Sequence, residues 1–282
     1  MAADIQSTFA AWQPSYWLSA GVVIAGAVYC RGWLAIRKTR PALFSPWRLY
    51  AFLSALAVLW LAIGSPMDAF ADAMLSAHMI EHLLLMSVVP PLVLLSNPVV
   101  PMLRGLPRPM LRFIVAPLLR NRGLRAFTHS LTRLRVAWLI MNITFLAWHV
   151  PSAYDFALEH EAWHIVEHAC FFTASLIFWW PIIRPWPTGG RVHNWGLILY
   201  LVSADVVNTA LSAFLAFCTR PVYPYYLTQP NPFQLSPLAD QVLGAVIMWV
   251  LGSLFFLVPA MVITVKLLQP NRARLPSHGY ST

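Results

Sequence analysis

Two copies of one pattern carry the chemistry in this chain: His78-Met79-Ile80-Glu81-His82 and His164-Ile165-Val166-Glu167-His168, each an H-x-x-E-H inside a long apolar run. On an α-helix each residue turns about 100°, so the two histidines of a copy lie about 40° apart, with the glutamate about 60° to the other side of the first. Each copy therefore aims two imidazoles and a carboxylate into one narrow sector. In lipid such groups are costly unless a partner or a metal compensates them, which makes an intramembrane metal site the first reading. Imidazole with carboxylate suits zinc or non-haem iron; imidazole with thioether suits copper, above all Cu(I). The stripe runs beyond the motif on both helices, through Met74, His78, His82 and Met86 in the first and His160, His164 and His168 in the second. A further run ends in Trp148-His149-Val150-Pro151, and another carries Asp205 and Asn208 about one turn apart. The candidate ligands are thus His78, His82, His149, His164, His168, Glu81, Glu167, Asp205 and Met74. A single buried histidine is ordinarily hydrogen-bonded and a single methionine ordinarily packing, so the convergence carries the reading, not any one residue. His129, His193 and His278 fall in loops or the tail, where solvation is the default, and Cys170 lies about 200° from His168 and should face away.

The elements that must position these groups follow from composition. The chain is 59% hydrophobic and 10% charged, against about 25% charged in a soluble domain. That describes an all-α, polytopic membrane helix bundle. The net charge of +9 does not point to nucleic acid, because the basic residues flank apolar spans. Three cysteines without a C-x-x-C pair specify no disulfide framework. No Lys or Arg precedes the first apolar run, so no cleaved signal peptide is expected.

A hydrocarbon core of about 30 Å needs about 20 helical residues. That template yields seven spans near 16–36, 49–63, 73–95, 136–150, 163–182, 195–217 and 238–267, the second and fourth short enough to extend past these ends. Arg31, Arg37, Lys38, Arg40 and Arg48 follow span one, and eight arginines from Arg104 to Arg135 separate spans three and four. Arg184, Arg191, Lys266, Arg272 and Arg274 fall on the same side, leaving only Arg220 opposite. Cytoplasmic loops carry the excess of Lys and Arg, so the N-terminus is expected outside and the C-terminus in the cytoplasm. Asp4, Asp68, Asp72, Asp155, Glu159, Glu161 and Asp240 then make the outer face acidic. The whole of 1–282 reads as one membrane domain, with a basic cytoplasmic loop at 96–135 and a Pro/Tyr-rich outer loop at 218–237. The basic loop is expected to lie on anionic headgroups, and the tyrosines of the outer loop to form an interfacial aromatic belt rather than a cap. In this topology both motifs, His149 and the Asp205 turn reach a common depth.

The run Ser65-Pro66-Met67-Asp68 ahead of the first motif, the Trp148-His149 ending and Trp163-His164-Ile165-Val166-Glu167-His168 together resemble the CtaG family of bacterial cytochrome c oxidase assembly factors, the seven-span type associated with caa-type oxidases. The resemblance covers the chain from the second span to the seventh. It implies a multi-pass protein of the bacterial inner membrane that helps mature the oxidase, with oxidase subunits and membrane lipids as partners and copper supply to a subunit centre as its task. It does not choose among copper, zinc and iron. Two other functions compete. H-x-x-E-H is also the inverzincin pattern, in which both histidines hold zinc and the glutamate is a general base; one motif would suffice for that chemistry, and two fit a shared site better. A di-iron or haem membrane protein is the third, although the Glu-x-x-His order of di-iron bundles is reversed here.

Overall fold

The computed structural model describes residues 2–183 and 195–269, and among them every regular element is a helix. Arg184, Arg191, His193, Arg272, Arg274 and His278 lie outside the described residues. In hydrocarbon each backbone N–H and C=O has to be satisfied within the chain, which is why the long apolar runs fold as helices. The membrane-crossing set is Tyr16–Ile36 (α1), Pro46–Ile63 (α2), Leu75–Leu95 (α3), Leu134–Trp148 (α4), Glu161–Ile183 (α5), Trp195–Phe217 (α6) and Pro237–Leu268 (α7). Six of these are long and apolar enough by themselves. The exception is α4, whose 15 residues reach span length only together with Pro151–Glu159, a helix bent from it by 73°. The expected extension past Pro151 is therefore not straight. Pro151 disfavours helical backbone at the residue before it, and Val150 is extended at φ −65°, ψ 126°.

The centre of the bundle is α3, with 61% of its span buried against 22% for α1. It starts later than expected. Met74 is extended at φ −143°, ψ 127°, so Met67–Ala73 forms a separate short helix and α3 begins at Leu75. That exposed helix start is received by α7: the Asp240 carboxylate accepts the amides of Leu75 (2.7 Å) and Ser76 (3.3 Å) and the Ser76 hydroxyl (2.5 Å). Gly244, one turn further along α7, lets the two backbones meet, since a Cβ there would lie 3.2 Å from Ser76 Cα.

Just past the first motif, α3 widens into a π turn over Leu84–Val88. The Met86 carbonyl has Pro90 and Pro91 at the two positions that would normally donate to it, and neither has an N–H. Ser175 Oγ and Trp179 Nε1 of α5 donate instead. This clamp fixes the height of α5 against α3 close to the two motifs.

The basic stretch 96–135 divides. Its first part, Val99–Gly105, packs against α1 so closely that a Cβ on Gly32 would lie 1.8 Å from the Pro101 carbonyl, and one on Gly105 1.8 Å from that of Val28. The short helices that follow expose Phe113, Ile114, Leu118 and Phe127 among the arginines. The tyrosine loop is a cap, not a belt. Tyr223 and Tyr226 are buried, and their hydroxyls donate to the carbonyls of His149 (3.2 Å) and Ala71 (3.1 Å).

Candidate metal centre

The two H-x-x-E-H faces meet. On α3, His78, Glu81 and His82 point toward α5, and on α5, His164, Glu167 and His168 point back, with His78 and Glu81 fully buried. Ring centroids are 4.1 Å apart for His78 and His82, 4.3 Å for His164 and His168, 5.3 Å for His78 and His164, and 5.5 Å for His82 and His168. The carboxylates cross over. Glu81 Oε1 lies 3.5 Å from His168 Nε2 and Glu167 Oε1 3.7 Å from His82 Nε2, so each helix presents its glutamate to the other helix's second histidine. A pseudo-twofold pairing follows from repeating one motif on two helices that enter from the same end.

The clamp at Met86, the Asp240 cap and the tyrosine roof hold this arrangement. Tyr154, which begins no motif and drew no attention in the sequence, stands over the site: its ring is 5.2 Å from His78, and its hydroxyl is 3.2 Å from that of Tyr226. Asp240, grouped by sequence with the outer acids, reaches α3 across 165 positions of chain, and nothing local in the sequence marks that contact. The Pro/Tyr composition of 218–237 was the available signal for the roof.

His149 closes α4 with helical backbone at φ −86°, ψ 0°. Its Nδ1–H donates to the Phe145 carbonyl (2.7 Å), which assigns the proton to Nδ1 and leaves Nε2 a lone pair. Its ring is 6.4 Å from that of His82. Met74 and Asp205 stand apart from the cluster. The i, i+4 stripe from Met74 to His78 requires one continuous helix, and the break at Met74 ends it; Met74 lines a separate apolar groove with Trp60 and Phe70. On α6, Ala204 and Asn208 line the cavity that His82 and His149 share, and the half-buried Asp205 sits a step out of phase with them. His160 is exposed and bonded to the Phe156 carbonyl, outside the stripe expected of α5.

The donor set suits a cation. His78, His82 and His168 offer ligand atoms within 4.8 Å of one another, and so do His78, Glu81 and His164. Both ring nitrogens of His78 and His82, both oxygens of Glu81 and Glu167, and Nε2 of His149, His164 and His168 are buried without a hydrogen-bond partner. Each such atom costs about 1–3 kcal/mol when unsatisfied. The set together would outweigh the whole net stability of an ordinary domain, about 5–15 kcal/mol. A shared positive ion compensates carboxylates and imidazole lone pairs at once. At the same end of the bundle lie Asp68, Asp72 and Glu161; burial first, then the charges of Asp72 and Glu161, push the Asp68 carboxyl up to about 7.

Two uncharacterized mycobacterial proteins, Mb0105 of Mycobacterium bovis and MT0111 of Mycobacterium tuberculosis, are each 29% identical to this chain over 243 residues, covering 84% of it and 36% of themselves. The chain thus spans about a third of the length of these relatives. No solved structure matches it. The family described as cytochrome c oxidase caa3 assembly factor (Caa3_CtaG) matches residues 27–269, from within α1 to the end of α7. The several apolar helices, the paired motifs they carry and this match over nearly the whole bundle make the chain a multi-pass bacterial membrane protein that belongs to the family of caa3-type cytochrome c oxidase assembly factors.

Proposed function

We propose that the chain binds copper as cargo in the His/Glu cluster, at the outer half of the bundle, and supports its insertion into a subunit of the oxidase. The observation that carries this reading is the crossed pairing of Glu81 with His168 and Glu167 with His82, surrounded by buried donors without partners. Two overlapping ligand sets share His78: one includes the half-buried His164 and Glu81, the other the buried His82 and His168. An ion can pass from one set to the other by exchanging two ligands while His78 stays bound. Such stepwise exchange suits a carrier, which has to release what it holds. The acids at the same end, Asp68, Asp72 and Glu161, would concentrate cations there.

A hydrolase reading is weaker on size. A hydrolase needs its general-base glutamate to face a substrate pocket of about 300–1,000 Å³, whereas the cavity bordered by His82 and His149 is about 30 Å³ and neither Glu81 nor Glu167 lines it. The same figure disfavours haem in that cavity. Elemental analysis of the detergent-purified chain tests the proposal. Copper in stoichiometric amount is expected in the wild type and its loss in the His82→Ala, His168→Ala double variant, with oxidase activity in the host membranes falling and partly recovering when copper is added, since free ligand offsets a weakened site by mass action. Zinc or iron held instead of copper, or equal copper in both proteins, would refute it.

Orientation belongs to the same proposal: the arginine-rich ends of the helices face the cytoplasm and the cluster end faces outward. A reporter fused after Arg125 is expected in the cytoplasm and one near Gln229 outside. Both reporters on one side would overturn the topology.

A further inference from the structure

Beside the His/Glu cluster lies a second set of donors of different chemistry. A cavity of about 30 Å³ is lined by His82 and His149 and by four methionines, Met79 and Met86 of α3, Met141 of α4 and Met248 of α7. All six side chains are at least nine-tenths buried. A space of that size holds an ion or a water and excludes an organic ligand. His149 has its proton committed to Phe145, so the partnerless Nε2 can act only as an acceptor or a ligand. Met79 and Met86 are seven residues apart and share one helix face, and the clamp on the Met86 carbonyl holds that part of the π turn in place.

A methionine in a membrane bundle is by default filler, and four flexible side chains should have closed a void of this size. Here they surround a cavity lined also by two imidazoles whose Nε2 atoms have no hydrogen-bond partner, while the side-chain amides of Asn142 and Asn208 in the same lining donate to the Trp138 and Met248 carbonyls instead. Thioethers do not satisfy imidazole lone pairs, because sulfur offers no proton. A soft monovalent cation satisfies both kinds of donor.

We propose that this cavity is a second metal site, selective for a soft monovalent ion such as Cu(I), with His149 and His82 as nitrogen ligands and thioethers drawn from the four methionines. The proposal deepens the copper-carrier reading and rests on it. His82 belongs to both sites, so it joins a harder station of imidazoles and carboxylates to a softer one of imidazoles and thioethers. Carboxylate and imidazole favour divalent ions, while thioether favours Cu(I). The soft station therefore holds copper that arrives already reduced, and no electron transfer within this chain is involved.

The test uses the purified full chain in detergent under anaerobic conditions, with Cu(I) buffered by a chromophoric chelator, Ag(I) as a redox-inert substitute, and Zn(II) as the divalent probe. X-ray absorption at the copper edge of the wild type loaded with Cu(I) is expected to read sulfur as well as nitrogen neighbours. The Met141→Leu, Met248→Leu variant conserves volume and leaves every cluster residue in place; it should weaken Ag(I) and Cu(I) binding at least tenfold and reduce the sulfur signal, while Zn(II) binding stays unchanged. His78→Ala, which alters the cluster and not the lining of this cavity, should weaken Zn(II) binding and leave Ag(I) binding unchanged. Copper with nitrogen neighbours alone in the wild type, whatever the variants do, would overturn the soft site, as would unchanged Ag(I) affinity in the methionine variant. Ag(I) binding with sulfur neighbours in a protein that takes up no Zn(II) would keep the soft site and sink the cluster reading instead.

Discussion

Replacing His78 with alanine is expected to lower the cluster's affinity for Cu(II) more than about 100-fold, whereas Glu81→Gln should cost about 10- to 100-fold, the range for partners that orient a ligand or balance its charge. The two substitutions differ because of where the side chains stand. His78 is fully buried, keeps both ring nitrogens free of hydrogen bonds, and belongs to both candidate ligand sets. Its loss leaves neither set complete. Glu81 belongs to one set, and its Oε1 faces His168 Nε2 at 3.5 Å, so glutamine keeps the shape and removes the charge. A 100-fold change corresponds to about 2.7 kcal/mol, large enough to read by competition with a chelator of known affinity. A Cu(II) affinity of His78→Ala within tenfold of the wild type would remove His78 from the cluster site. A Glu81→Gln loss equal to that of His78→Ala would make the carboxylate a ligand in its own right.

Removing the Asp240 carboxylate is the second large effect. The amides of Leu75 and Ser76 open α3 inside the protein, where no water can satisfy them, and the negative charge of Asp240 lies at the positive end of that helix. Losing a cap costs about 0.5–2 kcal/mol, and a hydrogen bond to a charged group is worth about 1.5–3 kcal/mol. Asp240→Ala should therefore destabilise the fold by about 3 kcal/mol, and Asp240→Asn by less, since one amide oxygen still accepts. His78 lies one turn beyond Leu75, so loosening the helix start also displaces a ligand. Thermal unfolding in detergent and copper content should fall together in Asp240→Ala. An unchanged transition would show that Asp240 does not hold the start of α3.

The helical membrane class, the approximate spans and the paired motifs were legible because each rests on local information. Hydropathy needs only a window of about 20 residues, and two histidines at i, i+4 share a face whatever surrounds the helix. The family resemblance rested on the same motifs, and the match over residues 27–269 agrees with it. The break at Met74, the bend at Pro151 and the burial of the tyrosine loop were not legible, because they depend on partners far away in the chain. Tyr226 could serve equally in an interfacial belt until Ala71 is brought beneath it, and Asp240 reads as an outer acid until Leu75 needs a cap.

By itself, the sequence determined that two imidazole pairs and two carboxylates would project from helices buried in lipid, because a residue's angular position on a helix depends only on its number. Tertiary structure alone decided that the two faces meet with crossed glutamates, that Met74 and Asp205 stand aside, and that four methionines gather around His82 and His149. The reason is that the rotation and height of each helix are set by contacts between chain segments distant in sequence: the Met86 clamp from α5, the cap from α7, and the close approach at Gly244.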